Sequence, residues 1–259
     1  MERYRITVYA QPQGQDLRLL RLARLLAAGQ RASVEVLSAP DAIDCAGAQL
    51  ELQGIEATCR AIEPGAQSLL QASCCADLLL LGQPPAESPR SPHMRLASQL
   101  LMDSTCPLLF QPRLAELGNH AGTTILAAWD GGRQSARALR DALPLLRRAR
   151  SVRIHAYGSA HSAAAQSLPA ACAFLQRHGV QAQCALQGLG DTDYAASPPM
   201  TPVLRDAGVA ELLLSDAAEL GADLLVMGAY GHSRAQEWLL GGVTRAVLCS
   251  MTLPVLMSH

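Results

Sequence analysis

The feature that most constrains how this chain can fold is that it repeats itself once. Ala76-Asp77-Leu78-Leu79-Leu80-Leu81-Gly82 returns as Ala222-Asp223-Leu224-Leu225-Val226-Met227-Gly228, 146 residues on. Cys106-Pro107-Leu108-Leu109 is answered by Leu253-Pro254-Val255-Leu256, 147 residues on. Two elements that keep their separation across so long an offset indicate two copies of one structural unit rather than two chance apolar runs. With 259 residues, each copy has the length of one small domain.

Inside each copy short apolar runs alternate with helix-length amphipathic segments, the pattern of βαβ units and a parallel sheet. The first copy predicts strands near 4–9, 32–37, 55–61, 77–82 and 106–111. The second predicts strands near 124–129, 151–157, 180–186, 223–228 and 253–258, with helices near 133–149, 162–178, 203–219 and 241–249. Two α/β domains are therefore expected, 1–112 and 123–259, joined by irregular chain from Pro112 to Thr123 in which Gly118, Asn119 and Gly122 break regular structure. Each last strand begins at a proline, Pro107 or Pro254, which a strand tolerates at its start or at an edge. Two bare apolar edges would promote aggregation. Pairing the two last strands with each other inside one chain removes both, so intrachain pairing of the two domains is expected.

Apolar residues make up 49% of the chain and only two are Phe and two Trp, so the cores must be built from Leu, Ala and Val. A formal net charge of -1 gives no electrostatic reason for a nucleic-acid or acidic-membrane partner. The densest basic cluster, Arg147-Arg148-Ala149-Arg150, falls where a helix should end and offsets its dipole. No apolar run approaches the roughly 20 residues of a bilayer span, and the residues after Met1 do not read as a signal peptide. The expected location is the cytoplasm. Eight cysteines show no CxxC spacing and no partnering histidines, so neither a metal site nor a disulfide framework is expected; most read as small buried hydrophobes, with the vicinal Cys74-Cys75 closing a helix.

Chemistry concentrates in the second copy. Strand 223–227 runs into Gly228-Ala229-Tyr230-Gly231, then nine residues, then Gly241-Gly242-Val243-Thr244-Arg245. A glycine where a parallel strand ends lets the backbone turn tightly and approach a ligand. A glycine pair opening a helix bares N–H groups at the positive end of the dipole, which suits phosphate. At the start of the same copy, Thr124-Ile125-Leu126-Ala127-Ala128-Trp129 ends in Asp130-Gly131-Gly132, placing a carboxylate at a strand's carboxyl end, where ligands of open α/β sheets bind.

The string Gly228-x2-Gly231-x9-Gly241, with Ala222–Met227 before it and Pro254-Val255-Leu256 after it, resembles the nucleotide-binding signature of universal stress proteins. Ile125–Gly131 and Ser135–Leu139 resemble that family's first strand and helix; the likeness is close over 123–259 and holds only in outline over 1–112. The resemblance implies a five-stranded, doubly wound parallel sheet of order 3-2-1-4-5, the adenine nucleotide α-hydrolase-like fold, in each copy. It implies that Asp130 contacts a nucleoside, that Gly228, Gly231, Gly241, Gly242 and Val243 hold ribose and phosphates, and that Ala156, near the end of the second strand, lies against adenine. The implied ligand is ATP or another adenine nucleotide, with or without Mg²⁺, in a tandem stress-response or signalling protein that acts on a protein partner. Whether two chains pair further as a homodimer is left open. Gly242 departs from the Ser or Thr usual in ATP-binding members, a loss of about 0.5–1.5 kcal/mol.

In the first copy Gln11 stands opposite Asp130, and Gly82-Gln83-Pro84-Pro85 puts Pro85 in place of the second glycine. Proline has no N–H for a phosphate, so this copy is expected to be a nonbinding partner. No GxSxG elbow, HExxH helix or P-loop lysine occurs, and ATP hydrolysis, if any, is expected to be slow. Two other readings stand beside nucleotide binding: a nucleotide-free protein interaction module, and an adenylating enzyme of related fold. The latter would want an SGGxDS order where Asp130-Gly131-Gly132-Arg133-Gln134-Ser135 is found. His232 and Tyr230 lie within the glycine loop, Trp238 reads as packing, and the long connection 188–202, with Asp191 and Asp193, reads as disordered.

Overall fold

The computed structural model describes residues 3–10, 16–40, 48, 51–85, 91–114, 118–187, 202–229 and 241–259, the side chains of Asp16 and 202–205 excepted. The strands are β1 (Tyr4–Tyr9), β2 (Ala32–Ser38), β3 (Glu56–Ala61), β4 (Leu78–Gly82), β5 (Leu108–Gln111), β6 (Thr124–Trp129), β7 (Ser151–Tyr157), β8 (Ala182–Gln187), β9 (Leu224–Gly228) and β10 (Val255–Ser258). They form one sheet in the order β3-β2-β1-β4-β5-β10-β9-β6-β7-β8. Every neighbouring pair is parallel except β5 and β10, which run antiparallel. The first five strands thus show the expected order 3-2-1-4-5, and the last five show it reflected across the central pair.

At that central pair Leu108, Leu109 and Phe110 face Met257, Leu256 and Val255 in register. All six are buried, at 1% exposure or less. The strands most apolar in sequence therefore sit mid-sheet, while the polar β3 and β8 form the outer edges. The repeated Ala-Asp-Leu-Leu motif has a structural cause in both halves. Asp77 Oδ2 accepts from the Arg5 N–H at 2.8 Å, and Asp223 accepts from the N–H groups of Thr124 and Thr123 at 2.9 and 3.0 Å. Each aspartate also donates its own N–H to the first strand, Asp77 to Arg5 and Asp223 to Thr124. The carboxylate so fastens the beginning of the fourth strand of each half to the beginning of the first, with charge-assisted bonds.

The helices are α1 (Asp16–Ala27), α2 (Ala66–Ser73), α3 (Pro92–Asp103), α4 (Arg133–Asp141), α5 (Leu143–Leu146), α6 (Ala163–Arg177), α7 (Pro202–Glu219) and α8 (Gly242–Ser250). The single helix expected over 133–149 is broken at Ala142, because Pro144 can occupy the first turn of α5 but not a helix interior. Two apolar layers cover the sheet. One holds α1, α4, α5 and α6, the other α2, α3, α7 and α8, and each runs across both halves. None of the helices of the described residues is long and apolar enough to cross a membrane.

The cysteines depart from expectation. Cys172 of α6 and Cys184 of β8 form a disulfide with Cα atoms 6.6 Å apart, stapling the edge strand to its covering helix. Helix and strand are brought together only by the fold, so no local spacing announces the pair. Cys74 and Cys75 are exposed rather than packed, with sulfurs 3.7 Å apart, while Cys106 is buried.

Glu35 of β2 ties the first half's outer strands together, accepting from Arg5 Nη2 at 2.7 Å and Arg60 Nε at 2.8 Å. Burial alone would raise its pKa, but the Arg60 and Arg5 guanidiniums outweigh it and hold the carboxyl below its ordinary 4.5. A carboxyl depressed by folding stabilises above its unfolded pKa and loses that contribution as pH falls through the folded value. Stability is therefore expected to fall with acid below about pH 4.5, and more shallowly in Glu35→Gln, as denaturation midpoints at stepped pH would show.

Candidate functional site

Strand β6 lies between β7 and β9, and the helices that follow β6 and β9, α4 and α8, cover opposite faces of the sheet. A doubly wound sheet opens a crevice outside the carboxyl ends of its strands at such a switch point. Ile125 pairs with Leu224 and Ala127 with Val226, so Trp129 and Gly228 arrive at the same end of the sheet.

Asp130 follows β6 directly. Its Oδ1 accepts from the Gly132 N–H at 2.7 Å and from Ser135 Oγ at 2.5 Å. Those bonds fix the carboxylate's orientation and satisfy one donor at the start of α4; Oδ2 takes part in neither. Gly131 holds φ +78°, and a β-carbon there would stand 3.0 Å from the Ala163 carbonyl oxygen, so the turn that presents Asp130 requires glycine. Trp129 is buried and donates Nε1–H to Ser167 Oγ at 3.0 Å, closing the wall beside it.

Gly228 lies at the end of β9 as expected, but its absent side chain serves a different neighbour. A β-carbon there would stand 2.5 Å from the Ser135 nitrogen and 2.7 Å from the Gln134 carbonyl carbon. The glycine lets β9 press against the first turn of α4, the turn that carries Ser135 and so steadies Asp130. On the other face Gly241 caps α8 with no side-chain hydrogen bond, and Gly242 begins the helix. Val243 packs against the second apolar layer, and Thr244 is buried rather than standing in for the missing Ser or Thr at 242.

Sequence reasoning missed Asp206. It reaches from α7 to the start of α8, where a β-carbon on Gly242 would lie 2.7 Å from its Cβ and Cγ and closer still to Oδ2. Gly242 and Asp206 are thus one steric arrangement, visible only once two distant helices are packed. Ala156 is fully buried in the first apolar layer. Gly231 lies outside the described residues, as do Tyr230, His232, Trp238, Gln11, Asp191 and Asp193.

A second polar cluster escaped the sequence because His155 and Tyr157 read simply as strand residues. Asp216 of α7 accepts from Tyr157 Oη at 2.8 Å and lies 2.9 Å from His155 Nδ1, with Gln187 Nε2 3.1 Å from the same nitrogen. Burial first, and then Asp216, push the Tyr157 hydroxyl far above its ordinary pKa, so it remains a donor. The cluster pins α7 to β7 and β8. In the first half, the residue after Gly82 does comparable work between the halves. Gln83 donates to the Leu248 carbonyl at the end of α8 at 2.8 Å and accepts from the Arg113 N–H at 2.9 Å, while Pro84 and Pro85 are buried. Among the described residues no group of three or more His, Cys, Asp or Glu could hold a metal ion.

The family model of the universal stress protein family matches residues 123–259. The chain is similar in fold to a universal stress protein from Archaeoglobus fulgidus DSM 4304, with a TM-score of 0.71 at 14% identity over 100% of this chain and 99% of that one. A structure from Pseudomonas aeruginosa UCBPP-PA14 superposes with a TM-score of 0.62 at 19% identity, over 98% and 92% of the two chains. At these identities the likeness concerns the fold. No curated protein matches the chain in sequence.

Proposed function

Because the chain belongs to the universal stress protein family, we propose that residues 123–259 form a domain that binds an adenine nucleotide, and that residues 1–112 form its nonbinding partner domain. The observation that carries this reading is Asp130, held at the carboxyl end of β6 by Gly132 and Ser135 with one oxygen outside those bonds. That oxygen accepts from the ribose hydroxyls or the base. The N–H groups at the start of α8, whose N-cap Gly241 has no side chain, face the charged end of the ligand. In the first domain Gln83 and the buried Pro84 and Pro85 fill the corresponding strand end and couple it to α8 instead.

This arrangement suits binding that changes the protein's contacts, because the end of α8 is where Gln83 joins the two domains. ATP, with or without Mg²⁺, is one candidate within the ligand class, and the cytoplasm is the proposed location.

Isothermal titration of the full chain with AMP and with ATP, run beside Asp130→Asn, tests the reading. One saturable site per chain is expected, weakened at least tenfold in the variant while the melting temperature shifts by only a few degrees. No heat with either nucleotide, in protein freed of copurified ligand, would move the assignment to the nucleotide-free interaction module.

A further inference from the structure

We infer that Asp206 makes this site select against nucleoside polyphosphates, so that its ligand is a nucleoside or a nucleoside monophosphate. The inference rests on the nucleotide reading above. The start of α8 attracts anions through its first-turn N–H groups and the helix dipole. Here an anion is already built in. The side chain of Asp206 lies so close to Gly242 that a β-carbon at 242 would come within 2.7 Å of its Cβ and Cγ. A carboxylate tethered at that distance competes with any incoming phosphate without a loss of translational freedom. It also repels the phosphate chain, at a separation where like charges interact strongly in a partly desolvated crevice.

Asp206 is not free to swing aside with its helix. Ten residues along α7, Asp216 is bonded to Tyr157 and lies against His155, which fixes the helix to β7. Nor can position 242 bring back a hydroxyl, because any side chain there would collide with Asp206. The nucleoside end is unaffected, since Asp130 and its partners belong to β6 and α4. Recognition therefore keeps its neutral part and loses its polyanionic part.

Dissociation constants for adenosine, AMP and ATP, measured on the full chain with chelator and again with Mg²⁺, test this against Asp206→Asn and Asp206→Ala. The wild-type chain should bind adenosine and AMP at least tenfold more tightly than ATP. Both substitutions should strengthen ATP binding at least tenfold and leave adenosine within about twofold. A wild-type chain that binds ATP as tightly as adenosine, or an ATP-to-adenosine ratio unchanged in both variants, overturns the role of Asp206 and leaves the nucleotide site standing. Failure of all three ligands to bind any form of the chain overturns the site itself and the selectivity with it.

Discussion

Gly228→Ala is expected to destabilise the chain by about 3 kcal/mol and to abolish nucleotide binding even where the protein remains folded. The added methyl would meet the Ser135 nitrogen at 2.5 Å and the Gln134 carbonyl carbon at 2.7 Å, backbone atoms that no rotamer change can move. Interiors are packed too densely to absorb such a contact locally, so relief must come from lifting α4 off the end of β9. Ser135 moves with α4, and Asp130 loses the hydroxyl that orients it. Urea denaturation gives the stability, and titration of the folded variant with AMP gives the binding. An alanine variant as stable as wild type would show that β9 and α4 are not in such close approach.

Asp216→Ala is expected to cost a similar amount, about 3 kcal/mol, for a different reason. Its carboxylate serves Tyr157 Oη and His155 at once, and His155 is only 4% exposed. Removing the acceptor leaves the Tyr157 hydroxyl without its partner where water enters poorly, and the penalty of such an orphan exceeds the net worth of the bond itself. Asp216→Asn should recover part of the loss, because the amide oxygen still accepts from Tyr157. Thermal and chemical unfolding of both variants checks the order wild type, Asn, Ala. Equal stability of the alanine variant and wild type would mean that α7 is held by its apolar face alone.

The strand plan was legible in the sequence because its cause is local. Leu78–Leu81 and Leu224–Met227 are apolar without alternation, as strands buried on both faces must be, and the aspartate before each run recurs because it fastens two strand beginnings together. The antiparallel join of β5 and β10 could be foreseen from two apolar strands that each needed cover. What escaped was non-local. Gly228, read as an approach to a ligand, also lets β9 approach the backbone of α4. Gly242 looked like the loss of a hydroxyl and is the space that Asp206 fills. Cys172 and Cys184 stand on a helix and a strand with no motif between them. Each of these depends on which surfaces the fold brings into contact, and spacing along the chain carries no record of that.

The measurement that bears most directly on nucleotide binding in the second domain is a crystal structure of the full chain grown with AMP. The nucleoside is expected beyond the carboxyl ends of β6 and β9, with Asp130 accepting from it, and with no ligand beside Gly82 and Gln83. Nucleotide bound at the first domain instead, or an ordered Asp130 in an empty crevice at saturating AMP, would contradict it.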